Sequence, residues 1–524
     1  MGDVVSQSRV VHPALSSYPH GLAVVRRLLA RLDEAGLAYC HWKSNEHLHA
    51  GLYGLTDLDV LVERRSASDL QCILAECGFK RFAAPPLRAY PAIEDYLGFD
   101  DDSGRIVHLH LHYQLIVGES HLKGYRLPWE SRLLSTRHRD PESGVDVADP
   151  ALEMLLLLVR AGLKHRARDW LRSPRRRQGS EDDLAREFTW LRERVDDGRL
   201  RELATELLGA AVDEPLRRLL AQPGAPYPLR SFAKDVQALL RKHRTYGPRE
   251  ARIRAWVREL QWLADAVNRR YFHRPTPLRR ISPRGGTIIV LLGADGSGKS
   301  TLAQALVAWL GGKLDAMPVY LGSGDGQSSW YRRPLKFAHR LLRPFLSSPG
   351  SDNPSSPESM THASSSAPRA NRGRLHAIAR IPWALVLSCE KRSKIRRMIR
   401  GRNRGMIVVC DRFPQTDVLG FNDGPLLSHW HDHRWRLCRA IAAWEAKPYV
   451  EIGQDPPDLV IKLYVSSEVA LMRRPEMSLE EVKKRERAVR SISFPPSTRV
   501  AELDANASLE QVVLAAKRLT WEEI

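Results

Sequence analysis

The chain has 524 residues, 43% hydrophobic and 27% charged, the texture of a globular protein too long for one core, so about three domains are expected. Its formal net charge of +20 favours anionic partners. No apolar run approaches the roughly 20 residues that span a bilayer, which excludes a membrane helix. The first twenty residues lack the charged-then-apolar layout of an export signal. Gly2 and Ser6 fit the loose myristoylation pattern, which is short and common. Helical spacing over 18–36 predicts a first helix, ending at Gly36. "LAYCHWKS" reads as a strand, and "DLDVLVE" (57–63) alternates as a second. A helix is predicted over 66–79, with Ser66 or Ser68 as its N-cap, and a long alternating strand over 105–118. Residues 1–140 are therefore expected to form an α+β domain.

Residues 141–283 read as helix after helix, from "DPALEMLLLLVRAGLKH" to "REARIRAWVRELQWLADAVNRRYF", a helical connector domain. Residues 284–524 alternate β-rich runs ("TIIVLL", "PVYLGSG", "GMIVVCDRF", "PDLVIKLYVS") with helical stretches, the texture of a parallel α/β domain. Within it, 347–373 is rich in Ser and Pro and poor in large apolar side chains, so it is expected to be a disordered insertion. The fold expected is multidomain α/β.

The six cysteines (Cys40, Cys72, Cys77, Cys389, Cys410, Cys438) contain no C-x-x-C pair, which argues against a zinc ribbon and for reduced thiols in a cytoplasm. Arginine-rich runs at 164–177 and 391–405 keep nucleic acid open as a partner. It is not favoured, because no zinc finger, RNP motif or basic zipper accompanies them. The sequence leaves room for a homodimer.

"GADGSGKST" matches G-x-x-x-x-G-K-[ST] through Gly293, Gly296, Ser297, Gly298, Lys299, Ser300 and Thr301, with a strand before and a helix after. Glycines let the loop's N–H groups point at phosphate oxygens, and the helix N-terminus adds positive charge. Lys299 is expected to bridge the β- and γ-phosphates of ATP, and Ser300 to hold Mg²⁺. "IVVCDRF" places Asp411 and Arg412 at a strand C-terminus, where parallel sheets border their ligands. Asp411 is expected beside Mg²⁺, and Arg412 offers a fork to an acceptor phosphate.

This pair of motifs resembles the thymidylate kinase family over about 284–524. "PPDLVIKLYVSSEVALMRR" is similar to that family's fourth core strand and entry to the lid, and "VAELDANASLEQVVLAAKRL" to its last strand and closing helix. The resemblance implies ATP-dependent phosphoryl transfer to a small phosphorylated substrate, a nucleoside monophosphate such as dTMP. It assigns Asp295, Lys299, Asp411, Arg412 and Arg473 to the reaction, with Arg474, Lys483, Arg485 and Arg487 in the lid. "PQTDVLGFNDGPLL" departs from the family after Asp-Arg, so thymidine selectivity does not carry over; Asp417 and Asp423 are acceptor-pocket candidates. A kinase of a sugar or glycan hydroxyl, which a carboxylate would help as base, and a nucleotide-binding regulatory protein remain the alternatives.

"YCHWKSNEHLHAGLYGLTDLDVLV" is similar to the nucleotidyltransferase superfamily, in which Asp57 and Asp59 on one strand face would hold Mg²⁺ and Lys43 and Ser44 would meet phosphates. The third carboxylate expected of that family is missing from "IVHLHLHY", where His108 stands instead. His108, His110 and His112 share a face but span roughly 13 Å, too far for all three to reach one ion. An active transferase, a degenerate version that binds substrate or regulates, and an unrelated small domain are all compatible with these residues.

Overall fold

A computed structural model describes residues 18–85, 88–118, 122–164, 174–221, 229–322, 372–415, 425 and 427–524. The chain divides into two compact units, Met1–His273 and Arg274–Ile524. The Ser/Pro-rich stretch lies outside the described residues except for its last two, which open the helix Arg372–Asn403. Among the described residues no helix is long and apolar enough to cross a membrane.

The first unit is built on a seven-stranded mixed sheet. Its strands are β1 (Tyr39–His41), β2 (Asp57–Val62), β3 (Lys80–Phe82), β4 (Ile93–Asp100), β5 (Arg105–His112), β8 (His138–Arg139) and β9 (Asp146–Val147), in the order β3-β4-β5-β2-β1-β9-β8. β6 (Leu115–Val117) and β7 (Tyr125–Leu127) form a separate ribbon. The long strand expected over 105–118 is thus two strands with different partners. Alternation sorts side chains between the sheet's faces. Leu58, Val60 and Val62 of β2 and Val107, Leu109 and Leu111 of β5 pack with the helices Ala23–Glu34 and Ala67–Glu76. Leu61 faces the opposite way, and with Cys40 and Trp42 it meets the helical block.

That block does more than connect. The helix Pro150–Lys164 carries the run Leu152–Val159 fully buried, as expected of a helix apolar on all sides. Proline opens it, and the Asp149 carboxylate accepts from the N–H groups of Ala151 (3.0 Å) and Leu152 (3.1 Å). The helices Asp197–Leu208, Asp213–Leu220 and Leu229–Leu239 pack in the same core as the sheet's Cys40, Trp42 and Leu61. Burying each such leucine contributes roughly 1.5–3 kcal/mol, which binds this block to the sheet.

The second unit is a five-stranded parallel sheet, with β10 (Ile288–Gly293), β11 (Ala316–Tyr320), β12 (Ile407–Asp411), β13 (Leu459–Tyr464) and β14 (Arg499–Asp504) in the order β11-β12-β10-β13-β14. β10, β12 and most of β13 are buried, consistent with their near-continuous apolar sequences. The chain leaves β10 toward β11 and β12 on one side and later fills β13 and β14 on the other. The C-terminal end of β10 is therefore the topological switch point, where open α/β sheets bind ligands.

Candidate functional site

The loop 294–298 follows β10 at that switch point. It leads into the helix Lys299–Gly311, which docks through Leu302, Ala303, Leu306 and Leu310. Gly296 and Gly298 have φ of +84° and +88°, a conformation that glycine adopts without strain. Gly293 answers a different need: a Cβ there would lie 2.5 Å from Ser297 Oγ and 2.8 Å from the Leu463 carbonyl oxygen.

Strand register then builds the chemistry. Leu291 of β10 pairs with Asp411 of β12, so the carboxylate at the end of β12 stands beside the helix start. Ser300 Oγ donates to Asp411 Oδ2 at 2.6 Å. Asp411 is buried, and its Oδ1 has no hydrogen-bond partner among the described residues; Ser297 Oγ is likewise buried and unpartnered. Orphaned polar atoms at a loop of this shape are what a bound cation and phosphate would satisfy. Ser300 and Asp411 thus supply oxygen donors that suit Mg²⁺, a hard ion that binds through one or two protein oxygens, water and phosphate.

Lys299 is buried, its Nζ donating to the Ala294 carbonyl at 2.7 Å and lying 3.9 Å from Asp295. Asp295 is a hub: Arg412 Nη2 donates to it at 3.2 Å, and Arg485 pairs with its other oxygen. Burial pushes the Arg485 guanidinium below its usual range. Arg412 itself has φ of +69°, so the chain turns sharply straight after Asp411. Arg473 donates to the Gly296 carbonyl at 3.1 Å and to the Ala505 carbonyl at 3.3 Å.

The structure therefore brings Gly293, Asp295, Gly296, Ser297, Gly298, Lys299, Ser300, Asp411, Arg412, Arg473 and Arg485 into one region. Thr301 is exposed on the helix's first turn. Of the remaining lid cations, Arg474 lays its stem beside Gly296 but pairs with Glu476 at 3.1 Å. Arg487 donates to the Lys483 carbonyl at 3.3 Å within its own helix. Asp417 and Asp423 lie outside the described residues.

The second constellation sits in the first unit, on the sheet face that meets the helical block. β2 and β5 run parallel with Asp57 opposite His108 and Asp59 opposite His110. The two aspartates take separate partners. Asp57 lies 2.8 Å from His108 Nδ1, and the other nitrogen of that fully buried ring lies 2.7 Å from Asp95 of β4. Asp59 lies 2.7 Å from Lys43 Nζ, 2.9 Å from His110 Nδ1 and 3.3 Å from His112 Nε2, all through Oδ1. Burial alone would raise the Asp59 carboxyl, but Lys43 and the two imidazoles hold it well below the usual carboxylate range. Burial lowers His110 and His112, and it pushes Lys123 nearby down to about 8, with Lys43 adding to the effect. Ser44 has φ of +57°, and its Oγ donates to Glu187 at 3.2 Å.

This donor set does not fit two magnesium ions shared between Asp57 and Asp59. Magnesium selects oxygen ligands, whereas Asp59 gathers Lys43 and the nitrogens of His110 and His112 around one oxygen, and His108 stands 2.8 Å from Asp57. Asp95 and Lys123 escape a reading of the local sequence, because only pairing of β4 with β5 and the fold of the chain around β7 bring them here. The half-buried Arg160, whose Nη1 lies 3.8 Å from Glu187, enters from the helical block in the same way.

No family model matches the chain. It is similar to the Uncharacterized ATP-binding protein YghS of Escherichia coli (strain K12), 27% identical over 232 residues, which cover 44% of this chain and 91% of that protein. It is also similar to the Uncharacterized ATP-binding protein YghR of the same strain, 27% identical over 236 residues, covering 44% of this chain and 85% of that protein. The matched length is about that of one of the two compact units, and more than half of the chain lies outside each match.

Proposed function

We propose that the second unit is an ATP-dependent phosphotransferase of the thymidylate kinase type, acting on a nucleoside monophosphate such as dTMP. The observation that carries the proposal is the hydrogen bond from Ser300 to Asp411 beside an orphaned carboxylate oxygen, at the N-terminus of a helix entered through a glycine loop. The two relatives are both named as ATP-binding proteins, which supports nucleotide binding by this chain. In this reading the loop N–H groups and Lys299 bind the β- and γ-phosphates of ATP. Ser300 and Asp411 hold Mg²⁺, which neutralises charge on the transferring phosphoryl group. Arg412 releases Asp295 to grip the acceptor phosphate, and Arg485 and Arg473 stand at the loop to offset charge as the phosphoryl group moves. A phosphate acceptor is already ionised, so no general base is required.

The test is transfer from labelled ATP with Mg²⁺ to a panel of nucleoside and deoxynucleoside monophosphates and common sugars, with Lys299→Ala as the blank. Labelling of a monophosphate by the wild type alone supports the proposal. Labelling of a sugar alone keeps the phosphotransferase and overturns the acceptor. Tight ATP binding with no acceptor labelled overturns catalysis and leaves a nucleotide-sensing protein.

A further inference from the structure

The histidines of β5 belong to the first unit and are not among the residues assigned above to phosphoryl transfer. Asp59 Oδ1, His110 Nδ1 and His112 Nε2 form a triangle with edges of 2.9, 3.3 and 3.2 Å. Three ligands that share one ion at bonds of about 2.0–2.2 Å stand roughly 2.8–3.6 Å apart, from octahedral to tetrahedral geometry. The triangle already has that size. We infer that the first unit holds a divalent transition metal ion through Asp59, His110 and His112, with imidazole-preferring ions such as zinc favoured over magnesium.

Three features support this. The ligands come from rigid strands: β2 and β5 are adjacent in the middle of the sheet, with Asp59 opposite His110, so the triangle is set by register. The rings are held in place, His112 being buried and edge-on to Trp42 at 5.1 Å, and His110 edge-on to His112 at 4.4 Å. The donors are two imidazole nitrogens and one carboxylate oxygen, a set that suits zinc, cobalt or iron, whereas magnesium selects oxygen. Asp59 and His110 keep some exposure, at 12% and 19% of their side chains, so an ion has a way in and further coordination positions remain. His108 does not belong to the set: its nitrogens lie 2.8 Å from Asp57 and 2.7 Å from Asp95, and the ligand atoms that converge are those of Asp59, His110 and His112. Lys43 pairs with the same Asp59 oxygen and must yield when the ion enters.

The test uses the full chain, stripped with a chelator and dialysed, then titrated with Co²⁺ while its visible d–d absorption is followed. One Co²⁺ per chain is expected, displaced by equimolar Zn²⁺ and retained against a large excess of Mg²⁺. His110→Ala is expected to weaken binding by at least about tenfold with unchanged circular dichroism, and Ser300→Ala to leave it unaltered, which separates this site from the phosphate loop. Absence of a Co²⁺ spectrum in the wild type, equal affinity in His110→Ala, or displacement by equimolar Mg²⁺ would overturn the inference. Should His110→Ala fail to fold, X-ray absorption of the zinc-loaded wild type decides: two imidazoles in the coordination sphere support the site, and fewer than two overturn it.

Discussion

Glu153 offers a prediction whose size follows from its surroundings. It lies one turn into the helix Pro150–Lys164, 2% exposed, and both carboxyl oxygens accept from Asn45: from the backbone N–H at 2.9 Å and from Nδ2 at 2.7 Å. These donors favour the ionised form, but desolvation outweighs them and raises the pKa from its ordinary 4.5 to about 7. An acid with a raised folded pKa binds its proton more tightly in the native chain than in the unfolded one. Its stabilising contribution is complete below pH 4.5, falls as pH rises to about 7, and is level above that. The slope is about 1.4 kcal/mol per pH unit, and the whole window amounts to roughly 3 kcal/mol. Glu153→Gln removes the titration. The stability of the variant minus that of the wild type should therefore grow by roughly 3 kcal/mol between pH 4.5 and 8, whatever constant offset the altered hydrogen bonds introduce. Denaturant-dependent hydrogen exchange of the helix Pro150–Lys164, followed by mass spectrometry in the full chain, reads this unit alone. A difference that stays flat with pH would refute the reasoning.

Three further predictions concern the phosphate loop. Ser300→Ala loses the Asp411 hydrogen bond, a charge-assisted contact of about 1.5–3 kcal/mol, so calorimetry should show that adding Mg²⁺ no longer tightens ATP binding. Gly293→Ala puts a methyl group 2.5 Å from Ser297 Oγ and 2.8 Å from a β13 carbonyl oxygen; nucleotide binding should be lost while circular dichroism is retained, and normal binding would count against the close packing described. Arg412→Ala should raise the KM for a phosphorylated acceptor about tenfold or more and leave ATP affinity near that of the wild type, as steady-state kinetics with each substrate varied would show.

The strand, glycine loop and helix around Lys299 could be read from sequence because they are nearly consecutive, lying within about twenty-five residues. Asp411 could be read because a strand ending in Asp-Arg belongs at the ligand edge of a parallel sheet. What could not be read were partnerships set by packing. Asp295 meets Arg412 across 117 residues and Arg485 across still more, and no local pattern announces either contact. In the first unit, alternation placed Asp57 and Asp59 on one face and the three histidines on another single face. Only the parallel register of β2 and β5 reveals that these faces are the same one, and that it sorts the residues into two separate clusters. The helices of 150–243 were evident from periodicity, yet their shared core with Trp42 and Leu61 depends on surfaces that a one-dimensional reading does not see.

The double grip of Arg473 has a consequence beyond charge. One guanidinium holds the Gly296 carbonyl in the loop and the Ala505 carbonyl in the turn after β14. That turn is itself fastened, Ala505 N donating to Tyr464 O at 2.7 Å and Ser466 N donating to Asn506 Oδ1 at 2.9 Å, and a capping box at Ser508 and Gln511 starts the next helix. Loop and turn are therefore mechanically coupled: one guanidinium ties the Gly296 backbone to the segment that starts the C-terminal helix, so neither can shift without the other.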